Sequence, residues 1–329
     1  NGERAVALGA NSDAVGNFTI AVGNGANATL ESALALGTSS AATGFYGIAV
    51  GQYTTAAGNS NVALGSRATA TAFIGGTALG ASSQANQTGA TAVGTASDAG
   101  RASFAGGFEA LALGTADVAL GAFATTAGGT GTSGNIAIGG VDASSVSGSV
   151  SGVIGTPVGT STTANGGNAI AVGSSAQATG ASGLALGASA RATGTRAIAL
   201  GSDGGDADAL GAQSSNTNTV AIGTDAVASL ADAMAMGTGA QATGLRSLAI
   251  GVDGTDGDLL GAQAKQTHGL ALGVEALSDG ISATAIGTLA RATAGNAIAV
   301  GWDSSAGSNG TAAIGAQASA AGQGGTAVG

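Results

Sequence analysis

The chain contains no cysteine, which excludes disulfides and thiolate chemistry and leaves the redox compartment open. It has one proline against 63 glycines, and glycine does not fall at every third residue, so a collagen triple helix is ruled out. Charged residues make up only 8%. Disordered chains are rich in charge and proline and poor in aliphatics, the opposite of this composition. Aromatics are 3% of residues, so the 44% apolar content is mostly Ala, Val, Leu and Ile. No apolar run approaches the roughly 18 residues that a membrane-spanning helix needs. Eight basic residues against 18 acidic ones give a net charge of −10 and no basic stripe to displace phosphate counterions. Nucleic acid is therefore not an expected partner. There is no initiating Met and no basic-then-apolar leader, and the closing "TAVG" stops mid-pattern. A mature or excised piece of something longer is expected.

What the chain does contain is a period. A Gly closes a V-A-L-G-like unit 22 times between Gly9 and Gly329, and 14 of the 21 intervals are fourteen residues long. Two residues before that Gly stands Ala in 21 of 22 units, the exception being Val153. The residue one before that Gly is Val, Ile, Leu or Met in 21 of 22 units, with Gly106 the exception, and the residue three before is usually large and apolar. Large-Ala-large is the alternation of a strand with one bulky and one small face. Five residues after the Gly, Ala recurs at Ala14, Ala28, Ala42, Ala56, Ala70, Ala85, Ala99 and Ala112, and three after it Ser, Ala or Thr is usual. A second short strand follows, often closed by Gly (Gly16, Gly44, Gly58, Gly180).

Two short strands and two tight turns in fourteen residues describe one coil of an all-β solenoid of about 22 coils. Its interior admits little beyond methyl groups, so the alanine columns face inward. The bulky residues must then point outward: Val6, Leu8, Ile20, Val22, Leu34, Leu36, Ile48, Val50, Val62, Leu64, Ile198, Leu200, Val220 and Ile222 among them. An uncovered stripe of this kind exceeds the few hundred Å² of contiguous apolar patch that soluble monomers tolerate. An obligate oligomer is expected, with a core made between chains.

The motif V-A-[ILV]-G followed by small-x-Ala resembles the repeat in the head domain of trimeric autotransporter adhesins of the YadA type. The closest matches to that family's N-S-V-A-I-G are Asn218-Thr219-Val220-Ala221-Ile222-Gly223 and Asn61-Val62-Ala63-Leu64-Gly65. The resemblance covers essentially the whole chain and implies one head domain over residues 1–329. It implies a left-handed parallel β-roll, an obligate homotrimer, and the outward aliphatics as the trimer core. It further implies a virulence-associated, non-catalytic adhesin without cofactor, exported to the outer membrane surface on a stalk and anchor outside this segment. The partners would be the chain itself and a host matrix protein or cell-surface receptor, with autoaggregation as a further outcome and no membrane contact by this segment. The family's Ser before V-A is often Asn, Ala or Thr here, so its ligands do not transfer automatically.

Three places depart from the period. Residues 122–172 hold longer turns, the only proline (Pro157) and the run "SSVSGSVSG". They are expected to be turns on an unchanged roll, with Val141–Pro157 the alternative ligand-binding protrusion, since function concentrates in loops on rigid scaffolds. The other two are copies of each other, enlarged coils near 202–220 and 252–270, "SDGGDADALGAQ" and "VDGTDGDLLGAQ". Here Asp206 and Asp256 fall in the inward alanine column, where an unpaired carboxylate is too costly, so the chain should leave the coil. Asp203, Asp206 and Asp208 are matched by Asp253, Asp256 and Asp258, and ten residues before each central Asp stands Arg196 or Arg246. The expected pairs are Arg196 with Asp206 and Arg246 with Asp256, within or across chains. The alternative is a hard-cation site on the six carboxylates, which lacks a full set of oxygen ligands.

Catalytic chemistry is nearly absent. The one histidine, His268, sits in "KQTHG" with no nucleophile elbow around any Ser, and is expected to be a solvated turn residue. "GTGTSG" at 129–134 matches G-x-G-x-x-G, but that is a chance event in so glycine-rich a chain. Phe45, Tyr46 and Tyr53 are expected to cap turns, and Arg67, Arg191 and Arg291 to be edge charges. A hexapeptide acyltransferase would need a six-residue period. The remaining alternative is a non-adhesive surface-layer solenoid that binds ice or calcium, but the required Thr-x-Thr or G-G-x-G-x-D columns are missing.

Overall fold

The computed structural model describes residues 2–126, 133–139, 162–204, 208–254 and 259–329. No helix occurs among them; every regular element is a short β-strand, and the pairings are parallel. The chain divides into two compact units, residues 1–168 and 169–329, each built from the same coil.

In the first unit the coil starts with the three-residue strand Val6–Leu8. It turns, runs through the two-residue strand Asp13–Ala14, turns again and enters Ile20–Val22 beside the first. Val6 pairs with Ile20, Ala7 with Ala21 and Leu8 with Val22, so the fourteen-residue period becomes strand register. Ten long strands and nine short ones repeat this plan in the first unit, and eleven and ten in the second. In the coil after the fifteen-residue interval from Gly65 to Gly80, the short strand shrinks to one bridged residue, Gln84, between Thr69 and Asp98.

Four positions per coil point inward, as Ala26, Ala28, Ala33 and Ala35 do, all at 0–1% exposure. Two are the expected alanine columns, and a third is the Ser/Ala/Thr position after the Gly. The fourth, the residue immediately before each long strand, goes beyond the expected pattern. It points inward because the strand's alternation runs on through it: Ala33 and Ala35 lie two apart on one face. The closing glycines have a physical reason. Gly23 has φ +135°, and a Cβ there would lie 2.5 Å from the carbonyl oxygen of Gly37 in the next coil. No side chain fits between coils at that approach.

One expected coil is absent. Thr125 pairs directly with Thr163, so no coil lies between those two short strands. The described residues make 21 long strands, against the 22 coils expected. Residues 127–132 and 140–161, including Val141–Pro157 and "SSVSGSVSG", lie outside the described residues. On either side, Thr125–Thr126, Ile136–Ile138 and Thr163–Ala164 keep the strand pattern.

Both enlarged coils resume the repeat eight residues late. Ala212 donates its N–H to Gly201, and Ala262 to Gly251, as the third residue after the Gly does elsewhere. Ala212 and Ser214, then Ala262 and Ala264, fill the two inward positions with no exposure. Asp206, Asp256 and Asp258 lie outside the described residues.

Candidate interaction surface

The long strands present two files of aliphatic side chains on the outside of the roll. In the first unit, Val6, Ile20, Leu34, Ile48 and Val62 form one file, and Leu8, Val22, Leu36, Val50 and Leu64 the other. In the second, Ile198 stacks on Val220 and Leu200 on Ile222. None of these fourteen residues is buried within the chain, and Val6, Leu8, Ile20 and Leu64 are exposed. The alanines between them are sealed, with Ala21, Ala49 and Ala63 at 0% exposure. The strand alternation therefore sorts methyl groups inward and larger groups outward, as the composition demands.

Two turn ridges flank this face. The entry ridge precedes each long strand, and its second residue donates an N–H to the coil before: Phe18 to Glu3, Tyr46 to Glu31, Ser60 to Phe45, Arg246 to Ala231. The exit ridge follows each closing Gly with the same ladder, as Tyr53 to Thr38 and Asp253 to Thr238. Many ridge residues hold a left-handed backbone, with φ +57° at Tyr46 and Tyr53 and +55° at Arg246. For an L-residue this costs about 1–2 kcal/mol, offset by the ladder bond each turn makes.

On the entry ridge of the first unit, Phe18, Phe45, Tyr46, Phe73 and Ile74 are exposed. The Arg4 guanidinium stacks 5.6 Å from the Phe18 ring centre. Phe73, at 81% exposure, is the most exposed large apolar residue, and its projection is built. Buried Asn61 donates from Nδ2 to the carbonyls of Ala57, Ala70 and Ala72, and its Oδ1 accepts from Gly76 N–H at 2.7 Å. These bonds hold the one-residue-longer turn that carries Phe73 outward. On the exit ridge, Phe108 and Phe123 meet edge to face at 5.2 Å.

The same entry ridge is charged in the second unit. Arg196 Nε donates to Asn218 Oδ1 at 2.7 Å, Asn218 Nδ2 donates to Asp232 Oδ1 at 2.8 Å, and Arg246 Nε lies 3.7 Å from Asp232 Oδ2. The two arginines are thus engaged along their own ridge by residues that spacing to the Asp loops did not single out. Their expected partners Asp206 and Asp256 fall outside the described residues. Each loop is also met from the coil beyond it. Asp225 Oδ1 accepts from Gly204 N–H at 3.0 Å, and the Glu275 carboxylate lies against Gly254. The signal was in the sequence: both loops are followed, two residues past the next closing Gly, by an acidic residue. Asp208 Oδ1 accepts from Leu210 N–H at 2.8 Å and closes a local turn. Among the described residues, no three His, Cys, Asp or Glu side chains gather closely enough to hold a metal ion.

Polar side chains also enter the roll. Ser103, Asp117 and Asn135 occupy the fourth inward column in three successive coils. Asp117 Oδ2 accepts from Gly114 N–H, and its Oδ1 accepts from the Asn135 N–H at 2.9 Å and from Asn135 Nδ2. Ser103 Oγ accepts from Asp117 N–H and donates to Gly114 O, and Asn135 Oδ1 accepts from Gly167 N–H. The side chains take over hydrogen bonds at coils where the repeat is irregular. Half-buried Asp98 has its carboxyl pKa raised by desolvation. His268 is an exposed residue of the entry ridge, and Arg67 one of the exit ridge, while Arg191 and Arg291 lie in short strands.

The family model for the YadA head domain repeat, which represents two repeat copies, matches residues 1–26, 14–40, 28–54, 74–97, 178–203, 214–233, 231–253 and 278–304. Together these matches cover just over half the chain and fall in both units. Comparison with curated proteins gives no match.

Proposed function

Because the chain belongs to the YadA head domain repeat family, we propose that it is the non-catalytic head of a homotrimeric surface adhesin. The observation that carries this reading is the pair of aliphatic files left uncovered on the long strands, of which none of the fourteen named residues is buried within one chain. Three rolls that turn these faces toward a common axis would bury them, and Val6, Leu8 and their successors would become a core shared between chains. The roll is then a left-handed parallel β-roll of the family's kind, carried at the outer membrane surface of a bacterium.

The ligand is a host matrix protein or cell-surface receptor, contacted through repeated weak interactions. Three chains with many similar coils raise avidity by effective concentration rather than by one deep pocket. The exposed aromatics of the first unit suit protein contact, since Tyr and Phe are enriched in such interfaces. The Asp loops are surface turns fixed by ion pairs of their carboxylates with Arg196 and Arg246, within or across chains, Arg196 with Asp206 and Arg246 with Asp256 among the pairs to test. The test has two arms. Analytical ultracentrifugation should give a trimer, and a stable folded monomer would overturn the assignment of the core. Surface plasmon resonance over immobilised collagen, fibronectin and laminin should show binding that weakens steeply when the chain is cut to a few coils. Absence of binding to all three would remove the matrix reading.

A further inference from the structure

The charge pattern of the two ridges points to how neighbouring protomers meet. Residues on the entry and exit ridges that flank the same long strand stand seven apart in sequence. The intervening strand and its flanks span roughly 15 Å at ~3.3 Å per residue, beyond ion-pair reach within one chain. Even so, at two levels of the second unit an arginine on one ridge is matched by an acid on the other. Arg196 and Asp203 flank the strand Ile198–Leu200, and Arg246 and Asp253 flank Leu248–Ile250. The acid of the entry ridge, Asp232, flanks Met234–Met236 opposite Gly239, which has no side chain to repel it. Both arginines spend only Nε on their own ridge. Arg246 keeps 61% of its side-chain surface exposed.

We propose that the entry ridge of each protomer packs on the exit ridge of the next at equal height. Arg196 then meets Asp203 of the partner subunit, and Arg246 meets Asp253 of the partner subunit. The inference rests on the homotrimer proposed above and deepens it by assigning register. A closed threefold ring is heterologous: the two patches that meet must differ. With the aliphatic face turned to the axis, the patches left on its two sides are these ridges. Rotation about an axis parallel to the coil stack preserves height, so a residue seven positions on in the next chain is the natural counterpart. The arginines and acids supply complementary charge at equal height, and slippage by one coil is opposed at Asp232, which would then face Asp225 or Asp253 in place of Gly239.

The absence of cysteine makes the test clean. In the full chain, Arg246→Cys is combined with Asp253→Cys, and the assembled protein is treated with a short bismaleimide. An Arg–Asp contact holds its Cα atoms too far apart for a disulfide, hence the linker. The expected result is conversion of the single-chain band to a covalent three-chain band on a denaturing gel. Arg196→Cys with Asp203→Cys should do the same, which guards against one pair failing to fold. Arg196→Cys with Asp253→Cys, three coils or ~14 Å out of level, should not. Failure of both matched pairs to give three linked chains, or equal linking by the offset pair, would overturn the register if the unlinked protein still sediments as a trimer. A monomer in that sedimentation run would instead bring down the homotrimer and this inference together.

Discussion

The entry ridge of the first unit carries Phe18, Tyr46 and Phe73, whereas in the second it carries Arg196, Asp232 and Arg246, on the same turn and the same backbone ladder. In neither unit do these side chains enter the roll, whose packing is completed by four small residues per coil. A ridge free of any packing duty can exchange aromatic for charged chemistry without altering the coil beneath it. The comparison separates what makes the roll, which is the same in both units, from what the roll displays, which is not.

The largest effects should ignore that difference. Val62→Asp in the first unit and Ile222→Asp in the second would each place three unpaired carboxylates near the proposed axis, and both should abolish assembly in sedimentation. Assembly surviving one of them would mean that the shared core runs through only one unit. Next in size, Ala49→Leu and Ala235→Leu both force a branched side chain into a methyl-wide interior. Each should cost at least about 1–3 kcal/mol and lower the circular dichroism melting temperature to a similar degree.

Smaller effects should then divide the units. Asn61→Ala removes the bonds that hold the Phe73 turn and should cost about 1–3 kcal/mol; Phe73→Ser should leave the melt unchanged and weaken matrix binding. On the other side of the comparison, Arg246→Ala removes an exposed ion pair and should change stability by less than about 1 kcal/mol, an effect that vanishes in high salt. A large loss on Arg246→Ala, readable in the same melt, would show that the charged ridge is structural after all.

The smallest effect is a pH dependence at Asp98, in the first unit. Burial raises the Asp98 pKa above that of the unfolded chain, so its protonated form is the one favoured by folding. That contribution is fully present below the unfolded pKa and is lost as pH rises through the folded one. Asp98→Asn should therefore raise the melting temperature slightly at neutral pH and leave it unchanged in strong acid. An unchanged melt at both would remove the desolvation argument.

The alanine columns and the outward Val, Leu and Ile were legible in the sequence. Each follows from a fixed period combined with a steric or solvation rule that acts on one residue at a time. A fourteen-residue repeat with Ala two before Gly leaves no other interior, and no carboxylate can stay inside it alone. Which coils are neighbours, by contrast, depends on how much chain each departure removes from the stack, and only the tertiary structure decided that. Thr125 meets Thr163 across 38 positions, where the period would place another coil between them. Arg196 reaches Asn218 across 22, and Asn61 reaches Gly76 across 15. Hydrogen bonds and ion pairs act over about 3 Å between specific atoms, so their partners change with every inserted residue, while a hydrophobic column survives any insertion that returns the chain to its place.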